Sequence, residues 1–150
     1  DAYSIIVDRD PRDIYTSIVK SADTFIPKSE TDEGLFSKDY LQQLKEDFLG
    51  TENIHSFITR QRIYREKMLF EKDHARIVYV WYEDLVLNYD KTVQELFTRV
   101  GINSSLHTKK KKFFNPVQSS KNVGIWKRMQ DSKEIKLIEK ELKDYLYTGY

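Results

Sequence analysis

The sequence predicts an α/β protein built on an open parallel sheet flanked by helices, with right-handed crossovers. Three observations lead there. Two short runs rich in β-branched and aromatic residues, YSIIVD at 3–8 and ARIVYVWY at 75–82, have the length and composition of buried strands. The first runs directly into a helix signal. The stretches between and after the two runs carry the periodicity of amphipathic helices.

Taken in chain order, each element has a local cause. After the first strand, Asp10 can cap a helix, Pro11 suits its first position, and Ile14, Ile18 and Val19 recur at helical spacing. IPKSETDEGLFS at 26–37 reads as polar loop, and KDYLQQLKEDFLG at 38–50 as a helix stopped by Gly50. Residues 52–72 predict a long helix that places Ile54, Phe57, Ile58, Tyr64, Arg65, Met68 and Leu69 near one face, a partly polar stripe. The second strand comes next, then a helix from Asp90 to Val100 with Val93, Leu96, Phe97 and Val100 on one side and Gly101 as its stop. Residues 103–125 show no periodicity and predict a long loop. The final stretch, 131–150, predicts a helix opened by a capping box of Asp131 and Glu134, with Ile135, Ile138, Leu142 and Tyr145 along one stripe.

Composition narrows the function. A chain of 150 residues and 17.9 kDa is long enough for one domain with a real core. It has no cysteine, which removes disulfides, thiolate metal sites and cysteine nucleophiles. His55, His74 and His107 are far apart and form no ligand pair, so no metal is expected, and none of them is assigned a catalytic role. The 25 basic and 24 acidic residues nearly cancel, so broad attraction to nucleic acid is not indicated and any anion site must be local. No apolar run reaches membrane-spanning length. Two strands are too few for an open sheet, and the first begins two residues into the chain. The remaining strands are therefore expected upstream, with residues 1–150 forming the C-terminal part of a single domain.

The local anion site is legible at the first strand's carboxyl end, where open α/β sheets bind ligands. Arg9 follows the strand directly, and Asp13 and Ser17 lie four and eight residues later, near one row along the helix. An arginine fork and a serine hydroxyl beside helix N-terminal N–H groups make a compact phosphate clamp. The competing arrangement pairs Arg9 and Arg12 with Asp8, Asp10 or Asp13 at the surface, worth roughly 0–1 kcal/mol.

VDRDPRDIYTS, residues 7–17, resembles the 3′-phosphate-binding segment of sulfotransferases that use PAPS (3′-phosphoadenosine 5′-phosphosulfate), in which a strand ends in Arg-x-Pro-Arg-Asp and a serine follows eight residues after the first arginine. Two further stretches are similar to that family in the same order: YVWYEDLVLNYDKTVQELFTRVGI at 79–102 and SSKNVGIWKRM at 119–129. The resemblance implies a P-loop NTPase-like fold and transfer of a sulfuryl group from PAPS to an acceptor hydroxyl or amine, leaving PAP (adenosine 3′,5′-bisphosphate). It implies that Arg9 and Ser17 bind the 3′-phosphate, that Tyr82 meets the adenine, and that Ser120, Lys121 and Asn122 grip the 3′-phosphate again with Gly124 allowing close backbone approach. Trp126 and Lys127 match the same late motif. Where cytosolic members carry Arg-Lys-Gly, this chain has Lys121-Asn122-Val123-Gly124. The SSKNVG form is similar to glycan-type and bacterial members, which implies a carbohydrate acceptor.

The family's phosphosulfate-binding loop and its catalytic base lie upstream of the Arg-x-Pro-Arg-Asp strand, so the catalytic residue is expected outside these 150 residues. Location follows from what precedes residue 1: the cytoplasm for a bacterial member, the Golgi lumen where a membrane anchor lies upstream. The run Lys109–Lys112 reads either as a solvated charge run or as a basic loop near an anionic ligand, anchored by Phe113 and Phe114. Two other functions use the same residues: a P-loop-type small-molecule kinase, and a helical interaction module in which the arginines are only surface charges.

Overall fold

The computed structural model describes residues 2–21, 54–70, 74–108, 112 and 114–150. It is a mixed α/β structure, mostly helical, with a small two-stranded parallel sheet. Strand β1 (Ser4–Asp8) pairs in parallel with β2 (Ile77–Trp81), in a register that runs from Ser4 beside Ile77 to Asp8 beside Trp81. Both strands therefore end at the same edge, and each passes into a helix there: α1 (Pro11–Ser21) after β1, and the short α3 (Tyr82–Leu87) after β2. The long α2 (Ile54–Phe70) lies between the strands in sequence. After α3 come α4 (Tyr89–Val100), a single turn at Ser104–Leu106, the short α5 (Pro116–Ser119), tight turns at Ser120–Asn122 and Ile125–Met129, α6 (Lys133–Glu141), and a last turn at Lys143–Tyr145.

The core gathers the apolar stripes of three helices. Tyr15 from α1, Phe57 and Ile58 from α2, and Ile135 and Ile138 from α6 with Leu142 just beyond it form one buried cluster. Tyr15 and Phe57 meet edge to face at 5.3 Å. Arg62, at the middle of α2, adds an ion pair to Glu141, the last residue of α6. On the sheet, Val78 and Val80 of β2 are buried, whereas Ile5 and Val7 of β1 remain about half exposed.

Several expected elements change at their ends. The second strand stops at Trp81, because Tyr82 already starts α3. Gly101 ends α4 in the left-handed conformation, φ 71°, as its position after the last apolar residue predicts. The cap of α6 is Ser132, which accepts the Ile135 N–H, and not Asp131. Residues 103–125 are not a plain loop: Asn103 and Asn115 each cap a short helical turn through their side chains. The last helix is shorter than expected, and the chain beyond Tyr145 returns to the strand ends. The helix and loop expected at 26–50 lie outside the described residues. Among those described, no helix is long and apolar enough to cross a membrane.

One polar contact ties α2 to the sheet. Arg65 falls on the buried face as its spacing predicts, while Tyr64 turns out to solvent. The Arg65 Nη2 donates to Asp8 Oδ1 at 2.8 Å and to the Arg9 carbonyl at 2.7 Å, and the Tyr79 hydroxyl donates to the other Asp8 oxygen. A buried pair broken on one side leaves an uncompensated charge. Arg65→Met is expected to cost about 3–5 kcal/mol in urea unfolding. Adding Asp8→Asn to it should recover part of that loss; a double variant less stable than the single one would contradict the pairing.

Candidate functional site

Six consecutive residues, Asp8 to Asp13, carry five charges around Pro11 at the carboxyl end of β1. The fold gives each of the three aspartates its own task. Asp8 is held by Arg65 and Tyr79. Asp10 accepts the Arg12 N–H at 2.8 Å and its guanidinium at 2.6 Å. Arg12 also pairs with Glu139 of α6 at 3.0 Å, and its guanidinium lies 3.9 Å from the centre of the Trp126 ring. Burial works against the Arg12 charge, but the hydrogen bonds and charge of Asp10, helped by Glu139, outweigh it and hold its pKa above the ordinary value. Arg12 is thus sealed into the structure.

Asp13 reaches across to the late loop. Its carboxylate accepts the N–H groups of Gly124 at 2.7 Å and Trp126 at 3.1 Å, and the Tyr150 hydroxyl at 3.3 Å. Gly124 has φ 69°, a conformation other residues adopt only under strain, and it lets the two N–H groups converge. Converging backbone donors of this kind form an anion-binding concavity. Here the chain's own carboxylate fills it, and so brings residues 120–126 onto α1.

That closure sets the surroundings of Arg9. Its Nη2 donates to the Asn122 carbonyl at 2.6 Å, and its guanidinium lies 5.1 Å from the centre of the Tyr82 ring. The Arg9 Nε is buried with no partner, and no carboxylate pairs with Arg9 among the described residues. The surface ion pairs that the sequence offers as an alternative are therefore not formed at Arg9, because Asp8, Asp10 and Asp13 are all engaged elsewhere. At Arg12 pairing does occur, in the interior.

Glu83, next to Tyr82, has no exposed surface. Its Oε1 accepts the Asp10 N–H at 2.9 Å, and its Oε2 has no partner among the described residues. Burial first, and then the charges of Asp10 and Asp13, push its pKa up to about 7, against the lowering effect of backbone hydrogen bonds. Two tyrosines close the cluster: Tyr147 donates to Asp84 at 2.6 Å, and Tyr150 donates to Asp10 at 3.2 Å while standing edge-on to Tyr147. Burial raises both phenols, with the neighbouring carboxylates adding to it.

Of the residues singled out from sequence, Arg9, Tyr82 and Asn122 meet in one cluster, Asn122 through its backbone carbonyl. Ser17 is half buried, about two turns along α1 from its start. The Ser120 hydroxyl donates to the Val117 carbonyl within its own turn, and Lys121 is exposed. The Gly124 N–H is committed to Asp13. Trp126 packs against the core, and the Lys127 ammonium lies 4.7 Å from the centre of the Tyr150 ring. His55 and His74 are exposed, and His107 contacts Tyr89 at 3.1 Å. Lys112 is exposed and Phe114 stacks on Tyr89; the rest of the Lys109–Lys112 run and Phe113 lie outside the described residues. A groove of about 350 Å³ beside β2 and α4, lined by Trp81, Asp84, Lys91 and Arg99 among others, does not include Arg9 or Tyr82.

The residues that sequence reasoning missed are Glu83, Tyr147 and Tyr150, together with the role of Asp13 as a clip. Their contacts span 73, 63, 140 and 111 positions, beyond any local periodicity. Comparisons with protein-family models, curated proteins and solved structures give no match to this chain.

Removing the Asp13 carboxylate leaves the Gly124 and Trp126 donors without their acceptor. Asp13→Ala is expected to cost about 2 kcal/mol or more and to speed hydrogen exchange at those two amides; unchanged exchange would show that the clip does not hold the loop. Glu83 makes stability fall with rising pH. Its folded pKa of about 7 exceeds the ordinary 4.5, so between those values the folded state holds a proton that the unfolded state has released. This contribution is complete below pH 4.5, declines up to about pH 7 and is flat above it. Glu83→Gln should remove that decline from the dependence of denaturation midpoint on pH.

Proposed function

We propose that this chain is a PAPS-dependent sulfotransferase segment on a P-loop NTPase-like sheet, and that Arg9, Tyr82 and the 120–124 loop hold the 3′-phosphate and adenine end of the donor. The observation that carries the reading is the state of Arg9. It stands at a strand end, against an aromatic ring and the late loop, with its buried Nε–H unmatched and, among the described residues, no carboxylate on its guanidinium, Asp8 accepting only the Arg9 backbone N–H at 2.8 Å. An arginine kept clear of carboxylates in that position suits a phosphate, which can take two parallel hydrogen bonds from one guanidinium. The Tyr82 ring offers a flat, amphipathic surface beside it for a purine.

In this reading the chain's residues bind and orient. Arg9 supplies charge-assisted hydrogen bonds to the 3′-phosphate, Ser17 and Lys121 lie on the two segments that flank it, and Asp13 fixes the distance between those segments. PAPS supplies the sulfuryl group, which passes in line to an acceptor hydroxyl or amine, on a carbohydrate by the form of the 119–124 segment. Holding the donor's remote end in this way lowers the barrier by orientation. No residue of this chain is assigned as the general base.

Discrimination between nucleotides tests the reading and separates it from a small-molecule kinase. A phosphate on the 3′ side is present in PAP and absent from ATP and AMP. At about one hundred times Kd, PAP should stabilise the chain by about 2.7 kcal/mol, a rise in Tm of several degrees for a protein of this size. ATP and AMP should give much smaller shifts, and Arg9→Ala should erase the preference. Equal shifts with AMP and PAP would exclude it, and a larger response to ATP would favour the kinase.

A further inference from the structure

The carboxyl ends of β1 and β2 bury more negative than positive charge. Asp8, Asp10, Asp13 and Glu83 are all buried, and the buried guanidiniums among the described residues are those of Arg12 and Arg65. Arg65 serves Asp8, and Arg12 serves Asp10 and, outside this group, Glu139. Asp13 is satisfied by backbone donors. Glu83 accepts the Asp10 N–H on Oε1, and its Oε2 has no hydrogen-bond partner among the described residues. The same residue touches the clamp at two places: its acceptor bond fixes the backbone N–H directly after Arg9, and its own backbone follows Tyr82.

We propose that Glu83 is a positioning residue of the Arg9 clamp and that its proton sets the clamp's strength: neutral Glu83 holds the β1–α1 turn while admitting a phosphate, and ionised Glu83 weakens phosphate binding. The inference rests on the anion-clamp reading of Arg9. Geometry supports it because the acceptor bond to Asp10 survives protonation: the carbonyl oxygen of a carboxylic acid still accepts an N–H. What protonation removes is a negative charge behind a site that is to receive another. The groups facing Glu83 reinforce this. Asp10, with Arg12 paired to it, faces it from the β1–α1 turn and Asp13 from α1; Asp84 stands beside it on α3; the Tyr147 and Tyr150 hydroxyls, both bonded to carboxylates, face it from the returning tail, with Lys127 over the Tyr150 ring. These surroundings place the proton's exchange near neutrality, at about 7. By linkage, if a bound phosphate favours the protonated form, protonation favours the bound phosphate by the same factor.

The test compares PAP binding to the wild-type chain and to Glu83→Gln by calorimetry at about pH 6 and about pH 8.5, on either side of the Glu83 transition. Gln keeps the acceptor for the Asp10 N–H and cannot ionise. The wild-type affinity should fall on the order of tenfold more than that of Glu83→Gln across this range, a shift of one pKa unit in Glu83 on binding. The ligand's own phosphate titration is common to both proteins and cancels in the comparison. A second measurement needs no variant. At about pH 7.5 the phosphate is mostly ionised already, and wild-type binding in two buffers of different ionisation enthalpy should show uptake of about half a proton. Equal pH dependence in the two proteins, or no proton uptake by the wild type, overturns the role of Glu83 and leaves the clamp standing. Absence of PAP binding to either protein at either pH overturns the clamp reading, and this inference with it.

Discussion

Carboxylates taken out of water must be paired or hydrogen-bonded, since the desolvation penalty for a lone charge exceeds anything a surface contact returns. The sheet end of this protein is organised by that requirement. Asp8, Asp10 and Asp13 follow one strand closely in sequence yet recruit partners from different parts of the chain: α2 and β2 for Asp8, the first turn of α1 for Asp10, the late loop for Asp13. Satisfying three buried acids therefore assembles the fold's main polar contacts around β1. The apolar cluster of α1, α2 and α6 supplies the non-directional attraction, and the aspartates supply the register.

The arginines divide accordingly. Arg12 and Arg65 are buried and structural, each fixed by a carboxylate at under 3 Å. Arg9 touches this buried pair only through its backbone, whose carbonyl accepts from Arg65. Its side chain instead meets a carbonyl and an aromatic ring, neither of which neutralises it. A cation held in place but not neutralised can respond to an incoming anion, whereas a paired one must first give up its partner. This is the physical basis for reading Arg9, rather than Arg12, as the ligand-facing member of the motif.

The returning tail adds a constraint of its own. Tyr147 and Tyr150 lay their rings against Trp81, Trp126 and each other while their hydroxyls reach Asp84, Asp10 and Asp13. Aromatic residues suit this position because one end is apolar and the other donates a hydrogen bond. The tail thus shields the acidic cluster from water, which deepens the desolvation felt by Glu83. It also couples the end of the chain to the β1–α1 turn, some 140 positions earlier.

The sequence by itself determined the pieces whose causes are local. β-branched runs made the strands at 4–8 and 77–81, Pro11 opened α1, Gly101 stopped α4, and the Ile135–Ile138–Leu142 stripe marked the buried side of α6. It also marked candidates: Arg9 and Ser17 through their spacing at a strand end, and Tyr82 and the 120–124 segment through motif order. Tertiary structure decided which charge faces which partner. Asp10 and Asp13 are alike in type and both flank Arg12, so nothing local says that one binds a guanidinium and the other two backbone N–H groups. Glu83 and Asp84 are adjacent in one acidic pair, and only the parallel register that sets Asp8 beside Trp81 carries Glu83 beneath the Asp10 N–H and Asp84 toward Tyr147. Spacing along a helix or strand fixes a face; desolvation and hydrogen-bond matching between segments far apart in sequence fix the site.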